Sequence, residues 1–292
     1  MTDASLYSIG KRQLRFIPCF IVVLMLSYVL LYAQPAYAAG TVTNCSDYDA
    51  GPGSLASALP GGGTITFNCS GTIIVPEITI TNTVTIDGSG QTVMLDGGGI
   101  NRIFSVSPSG SLTLNNLTLQ NGSADYGGAI YNRGDLTVLN LTLASNSAEW
   151  GGGAIYKEDG TLVITNSLFT TNTANGGGAI IVSSGPATIN SSTFASNSVT
   201  FSWGSAIRVL STATATITNS TFTNNTGGGG PAVYAFDEVT ITNSTIVNNT
   251  SGIGTASAGT ISVRNSIIIG NTSYNCFGTT DTITFPNLGC SG

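Results

Sequence analysis

"GGGAIYKEDGTLVITNSLFTTN" occupies Gly151 to Asn172, and what decides the fold is that it comes back. One period earlier the chain reads "YGGAIYNRGDLTVLNLTLASN", and one period later "GGGAIIVSSGPATINSSTFASN". The Ala of the small-residue motif recurs at Ala129, Ala154, Ala179, Ala206 and Ala232, in steps of 25, 25, 27 and 26. GGAI decays to GSAI at Gly204–Ile207 and GPAV at Gly230–Val233. A second marker, an Asn opening an N-S turn, stands at Asn166, Asn219, Asn243 and Asn265, with Ser191 substituting once and Asn116 and Asn140 as earlier echoes. A third is an Asn three residues past a large apolar side chain: Asn146, Asn172, Asn197, Asn225, Asn249 and Asn271.

Between the markers the apolar residues alternate with Thr, as in "EVTITNSTI", where Val239 and Ile241 flank Thr240. A period of two broken by Asn and Gly means short strands and turns. The mature chain carries no helical period beyond one turn at Gly53–Leu59. Three short strands in about 25 residues, repeated, predict one coil of a parallel β-solenoid. Equivalent residues then stack. Leu143, Phe169, Phe194, Phe222, Ile246 and Ile268 form one expected buried file, and Leu136, Leu162, Ala187, Ala215, Val239 and Ile261 another. The recurrent Asn is expected in turns, where its side chain bonds nearby backbone and tolerates left-handed dihedrals. GGAI is not read as a phosphate loop, because a strand follows it where a helix would be needed.

Composition narrows the rest. Only 8% of 292 residues are charged, against about 25% in an ordinary domain. The net charge of −6 and the lack of any basic patch make nucleic acid a poor partner. Lys11, Arg12 and Arg15, the apolar run Phe16–Tyr32 and small residues at Ala36 and Ala38 read as a signal peptide over residues 1–38. That implies export, with no transmembrane segment after its removal. Residues 39–292 are expected to form one all-β domain of eight or nine coils, residues 39–75 making an N-terminal cap and first coil and residues 272–292 a C-terminal cap. Four cysteines remain in it, and spacing favours the local disulfides Cys45–Cys69 and Cys276–Cys290, closing both ends. The chain has no His and no C-x-x-C, so no metal site is expected.

The repeated GGAI with a downstream F-x-x-N, at Phe169–Asn172, Phe194–Asn197 and Phe222–Asn225, resembles the repeats of polymorphic outer-membrane proteins. "NSIIIGNTSYNCFG" (Asn265–Gly278) is similar to the end of bacterial surface β-helix proteins of the pectin-lyase-like superfamily. The resemblance implies a right-handed parallel β-helix on a bacterial surface, extracellular or associated with the outer membrane, in an adhesive role.

That superfamily name also raises polysaccharide lyases and glycoside hydrolases, which need paired carboxylates or a base beside Ca²⁺ or Arg. On a solenoid such groups meet one period apart. Asp125 and Glu149 are 24 apart, each just before the Gly corner, and Asp135 is expected to stack near Glu158 and Asp159. These fit solvated turn carboxylates, partly balanced by Arg133 and Lys157. Asp87 and Asp96 sit in Asp-Gly turns. No catalytic residue is assigned and no cofactor is indicated, Ca²⁺ included. Tyr126, Trp150 and Trp203 lie at or near the same corner beside Asp125 and Glu149, as a candidate ligand-binding row. The expected function is a monomeric, structural and adhesive surface or secreted protein that holds glycans or a surface protein, with the carbohydrate-active enzyme as alternative. A last motif is an outward Thr file, Thr188, Thr216 and Thr240 with Thr218 and Thr242 beside it. T-x-T arrays of this kind bind ice on some solenoids. Here Val163, Asn190, Ser262 and Arg264 interrupt it, and Thr is simply a good strand residue.

Overall fold

A computed structural model describes residues 40–201, 203–228 and 230–278, and the backbone of 283–284. The signal-peptide reading of residues 1–38 and the cysteine Cys290 lie outside the described residues. The described residues belong to one compact unit, Ala38–Gly292.

One coil shows how the sequence winds. Asp135–Leu139 is a strand, the chain bends, Thr142–Ala144 and Ser147–Gly151 are strands, and after the Gly corner Ile155–Lys157 is another. Thr161–Thr165 then lies in register on Asp135–Leu139, one coil on. Repetition builds four parallel sheets. The first has eleven strands, from Gly40–Val42 to Ile283–Thr284. The second runs over nine, from Gly71–Ile74 to Ile267–Ile269, and the third over nine, from Ile78–Ile80 to Tyr274–Phe277. A small sheet of four strands, Ser123–Tyr126 to Ser198–Val199, lies between second and third in chain order. The helical turn expected at Gly53–Leu59 is present as Leu55–Ala58, with Ser54 accepting from the Ser57 amide.

Both expected apolar files are in register. Leu143, Phe169, Phe194, Phe222, Ile246 and Ile268 pair successively in the second sheet. Leu136, Leu162, Ala187, Ala215, Val239 and Ile261 do so in the first. The three Phe rings stack at 4.7 Å, with planes 10° and 3° apart. Each coil buries only half of its own residues, and the coils above and below cover the edges of that apolar filling. This is why no repeat is stable alone.

The three markers do three different jobs. The N-S turn residue bends the chain between first and second sheets in the left-handed region, at Asn140, Asn166, Ser191, Asn219, Asn243 and Asn265. A short polar side chain lowers the penalty of that conformation. The Asn of the third marker does not take it. The residue before it does, at Ser145, Thr171, Ser196, Asn224 and Asn248. The marker Asn instead turns inward, and Asn146, Asn172, Asn197, Asn225, Asn249 and Asn271 form a buried ladder. The expectation of a left-handed turn residue is thus right for the second marker and corrected for the third. In a neighbouring inner file, the hydroxyl oxygens of Ser167, Ser192, Ser220, Ser244 and Ser266 accept from backbone amides one coil earlier.

The Gly corner has a steric cause. Gly152 has φ +65°, and a Cβ there would sit 2.3 Å from the Ile155 carbonyl oxygen. A Cβ on Gly153 would sit 2.2 Å from the Gly178 carbonyl oxygen of the next coil. Positive φ and close backbone approach both call for glycine.

Cys45 and Cys69 are bonded, their Cα atoms 5.8 Å apart. Cys276 is also disulfide-bonded.

Candidate functional site

In GGAI the Ile points inward, so the residue after it must point out. That position reads Tyr131, Tyr156, Ile181, Arg208 and Tyr234, paired strand by strand across the third sheet. Gly254 continues the file, and Phe277 pairs with it. The file gathers two aromatic clusters with Ile181 between them.

In the first cluster Tyr131 and Tyr156 stack with ring centroids 5.6 Å apart and planes 7° apart. Tyr126, from the small sheet, packs edge-on against Tyr156 at 4.8 Å. Two guanidinium groups lie against Tyr131, Arg102 at 5.1 Å from its centroid and Arg133 at 5.7 Å. Arg102 is fixed by an ion pair with Glu77 at 2.7 Å and by donation to the Tyr126 and Gly127 carbonyl oxygens. The Tyr131 hydroxyl donates to Glu158. Burial, and then that donation to a carboxylate, pushes the Tyr131 pKa up to about 12, so it stays a hydrogen-bond donor at any physiological pH.

In the second cluster Trp203 stacks on Tyr234 at 5.1 Å and on Phe277 at 5.7 Å. Tyr234 meets Phe236 edge-on, and Arg208 lies 5.1 Å from the Phe236 centroid. An open cavity of about 540 Å³ is lined by Trp203, Tyr234, Thr255, Ser257 and Phe277.

The structure separates the expected row of Tyr126, Trp150 and Trp203. An irregularity between Ala124 and Tyr126 shifts the register, so Tyr126 lies opposite Gly151 and Trp150 is one residue out of step. Trp150 stands 54% exposed and Tyr126 39%. Trp203 belongs to the second cluster, on a coil two residues longer than its predecessors. Asp125 and Glu149 are both exposed on the small sheet. Asp135 lies opposite Thr161, not Glu158 or Asp159, and accepts from the Thr161 hydroxyl at 2.6 Å.

Lys157 also departs from its expected place. It points inward and is fully buried, in a file with Val106, Asn132 and Val182, and its ammonium donates to the Ser184 carbonyl. Burial lowers its pKa. It is therefore a core residue, and the exposed Asp159 carboxylate offsets part of that burial by favouring its charged form. Among the described residues no three His, Cys, Asp or Glu side chains converge on a metal position.

The outward file was the missed signal. Its residues are visible in the sequence as the letter after each AI or AV, but no two are alike for long, so a search for recurrence passes over them.

Parallel coils closed by a Gly corner and threaded by inner Asn and Ser files define a β-helix. The family model described as the right handed beta helix region matches residues 126–287, and the chain belongs to that family. Curated proteins yield no match. Among solved structures, the chain is similar to the crystal structure of jun a 1, the major allergen from cedar pollen. The two are 16% identical, the likeness covers 85% of this chain and 77% of that one, and the TM-score is 0.34.

Proposed function

We propose that the chain is an exported β-helix protein of the pectin-lyase-like kind, at the cell surface or secreted, whose role is adhesive. The face that holds its ligand is the aromatic file of the third sheet with the corner beside it, and the ligand is a glycan. The observation that carries this is the cluster of Tyr126, Tyr131 and Tyr156, with Trp150 exposed one residue from the position opposite Tyr126. Rings set on a rigid sheet offer flat apolar area at little cost in side-chain entropy, while Arg133 and Glu158 supply polar groups at the edge. Sugars present the matching chemistry, C–H faces rimmed by hydroxyls. The enzymatic alternative asks for a carboxylate ready to move a proton. Glu158, a carboxylate in contact with this cluster, is engaged by the Tyr131 hydroxyl.

The test is a glycan array probed with the purified chain, and with Tyr156→Ala and Trp150→Ala. Wild type is expected to bind a subset of glycans, with the signal lost in Tyr156→Ala and reduced in Trp150→Ala while circular dichroism is unchanged. Equal binding by both variants removes this face from the function. Release of unsaturated sugar products from pectins would replace adhesion with the lyase reading.

A further inference from the structure

The first sheet has an outer face that the glycan reading does not use. Its central outward file runs Thr64, Thr85, Thr113, Thr137, Val163, Thr188, Thr216, Thr240 and Ser262, paired without a break. From the repeat alone only the part from Thr188 onward is visible. The earlier coils are 21, 28 and 24 residues apart at this file, so spacing hides what register reveals.

Three features set this file apart. First, among the described residues, none of the seven Thr hydroxyls hydrogen-bonds to protein. Hydroxyls in the flanking files do, as with Thr161 to Asp135 and Thr41 with Thr66. The seven hydroxyls are therefore open to water, one on each coil that carries Thr in this file. Second, the array is regular, because the strands that carry it are parallel and in unbroken register, which sets neighbouring coils about 4.8 Å apart. Along each strand the next outward residue is about 6.7 Å away. Flanking positions extend the array with Thr66, Thr83, Thr165, Thr214, Thr218, Thr242 and Thr260. Third, the central file carries no charge. Asp87, Asp135, Glu238 and Arg264 are confined to the flanking files.

A fixed grid of hydroxyls anchors water at its own repeat, and the methyls between them hold that water off in an ordered layer. Val163 preserves the shape and one methyl where the hydroxyl is missing. Both grid spacings are close to the repeats of oxygen atoms on faces of ice. The face has no aromatic ring in its central file on which a crystalline polysaccharide would stack. We propose that the Thr face of the first sheet binds ice, so that a second surface of the molecule adheres to the frozen phase independently of the glycan face.

The purified chain is to be assayed for thermal hysteresis and for inhibition of ice recrystallisation, beside Thr137→Lys, Thr216→Lys, Val163→Thr and Trp150→Ala. The wild type is expected to shape ice crystals and to slow recrystallisation. Each Lys variant, with unchanged circular dichroism, is expected to lose both effects, Val163→Thr to strengthen them and Trp150→Ala to keep them. Ordinary ice growth at every concentration up to the solubility limit overturns the proposal, as does full activity in both Lys variants. Adsorption to crystalline cellulose with no effect on ice also overturns it and reassigns the face. None of these outcomes bears on the glycan array, so the two readings fail separately.

Discussion

Two files of amides climb this molecule, one inside and one outside, and they point in opposite directions. Inside, Asn146, Asn172, Asn197, Asn225 and Asn249 each donate Nδ2 to the Oδ1 of the Asn one coil later, at 2.9–3.0 Å. Outside, Asn166 donates to Asn140, Asn140 to Asn115 and Asn115 to Asp87, one coil earlier each time, at 2.6, 2.9 and 3.1 Å. Residue type and spacing are alike, yet the two files do different work. An inner Asn is buried, and its second Nδ2 hydrogen goes to a backbone carbonyl of the preceding coil, as Asn197 does to Phe169. Its Oδ1 accepts both the amide and the Nδ2 of the Asn before it, as Asn197 does from Asn172. Every donor and acceptor of the side-chain amide is used where water cannot substitute. Outer Asn140 and Asn166 are exposed, so water can replace a lost partner. Burial ranks the two files, and repetition does not.

The sharpest way to break this contrast is in the middle of the inner ladder. Asn197→Ala strands the Asn172 amide, takes one of two acceptors from Asn172 Nδ2, removes the Nδ2 donor to the Phe169 carbonyl and leaves the Asn225 Oδ1 with the backbone amide of residue 197 alone. Each buried group left without a partner costs roughly 1–3 kcal/mol, and neighbouring groups share relaxation, so a loss of about 3–5 kcal/mol in urea denaturation is expected. A loss under about 1 kcal/mol would mean that the ladder sets register without holding the coils together.

The same contrast explains what could be read before any coordinates. The inner files repeat because every coil presents the same problem, an apolar filling and orphaned backbone groups, and meets it with the same residue. Phe169, Phe194 and Phe222 therefore announce themselves as a file. Lys157 does not. It shares an inward file with Asn132 between Val106 and Val182, and charge alone makes it look like a surface residue. The outward positions are free of that constraint, so Tyr131, Tyr156, Ile181, Arg208 and Tyr234 share a place and little else. Sequence reasoning reached the corner rings Tyr126, Trp150 and Trp203 because tryptophan and tyrosine are conspicuous, but not how they group. The grouping depends on a register shift at Ala124 and on a coil two residues longer, and neither has a motif of its own. The Thr face was half-legible for the same reason, as its first coils keep register while losing period.

A smaller effect tests the outer file at its charged end. Burial alone would raise the pKa of Asp87, but hydrogen bonds from Ser89, Asn116 and Asn115 outweigh it and lower the value. A carboxylate with a depressed folded pKa adds stability that is complete above its unfolded value, about 3.9, and fades as pH falls through the folded one. Asp87→Asn is thus expected to be less stable than wild type at neutral pH, by less than Asn197→Ala, with the gap closing in acid. Urea midpoints measured across that pH range check the sign. A gap that persists in strong acid would mean that shape at this turn matters and charge does not.

The smallest effect expected is at Asn115 itself. Its outward file carries Thr66, Thr165, Thr218 and Thr242 on other coils, so Asn115→Thr places there a residue the sheet already accepts. The variant removes the donor to Asp87 and the acceptor for Asn140. Both partners can reach water, and threonine favours the strand, so the net change should stay within about 0.5 kcal/mol. Should Asn115→Thr cost as much as Asn197→Ala, exposure would not be what separates the two ladders. The outer amides would then have to act as one cooperative chain anchored on Asp87, a property the inner file does not need, since each of its members is satisfied by its immediate neighbours.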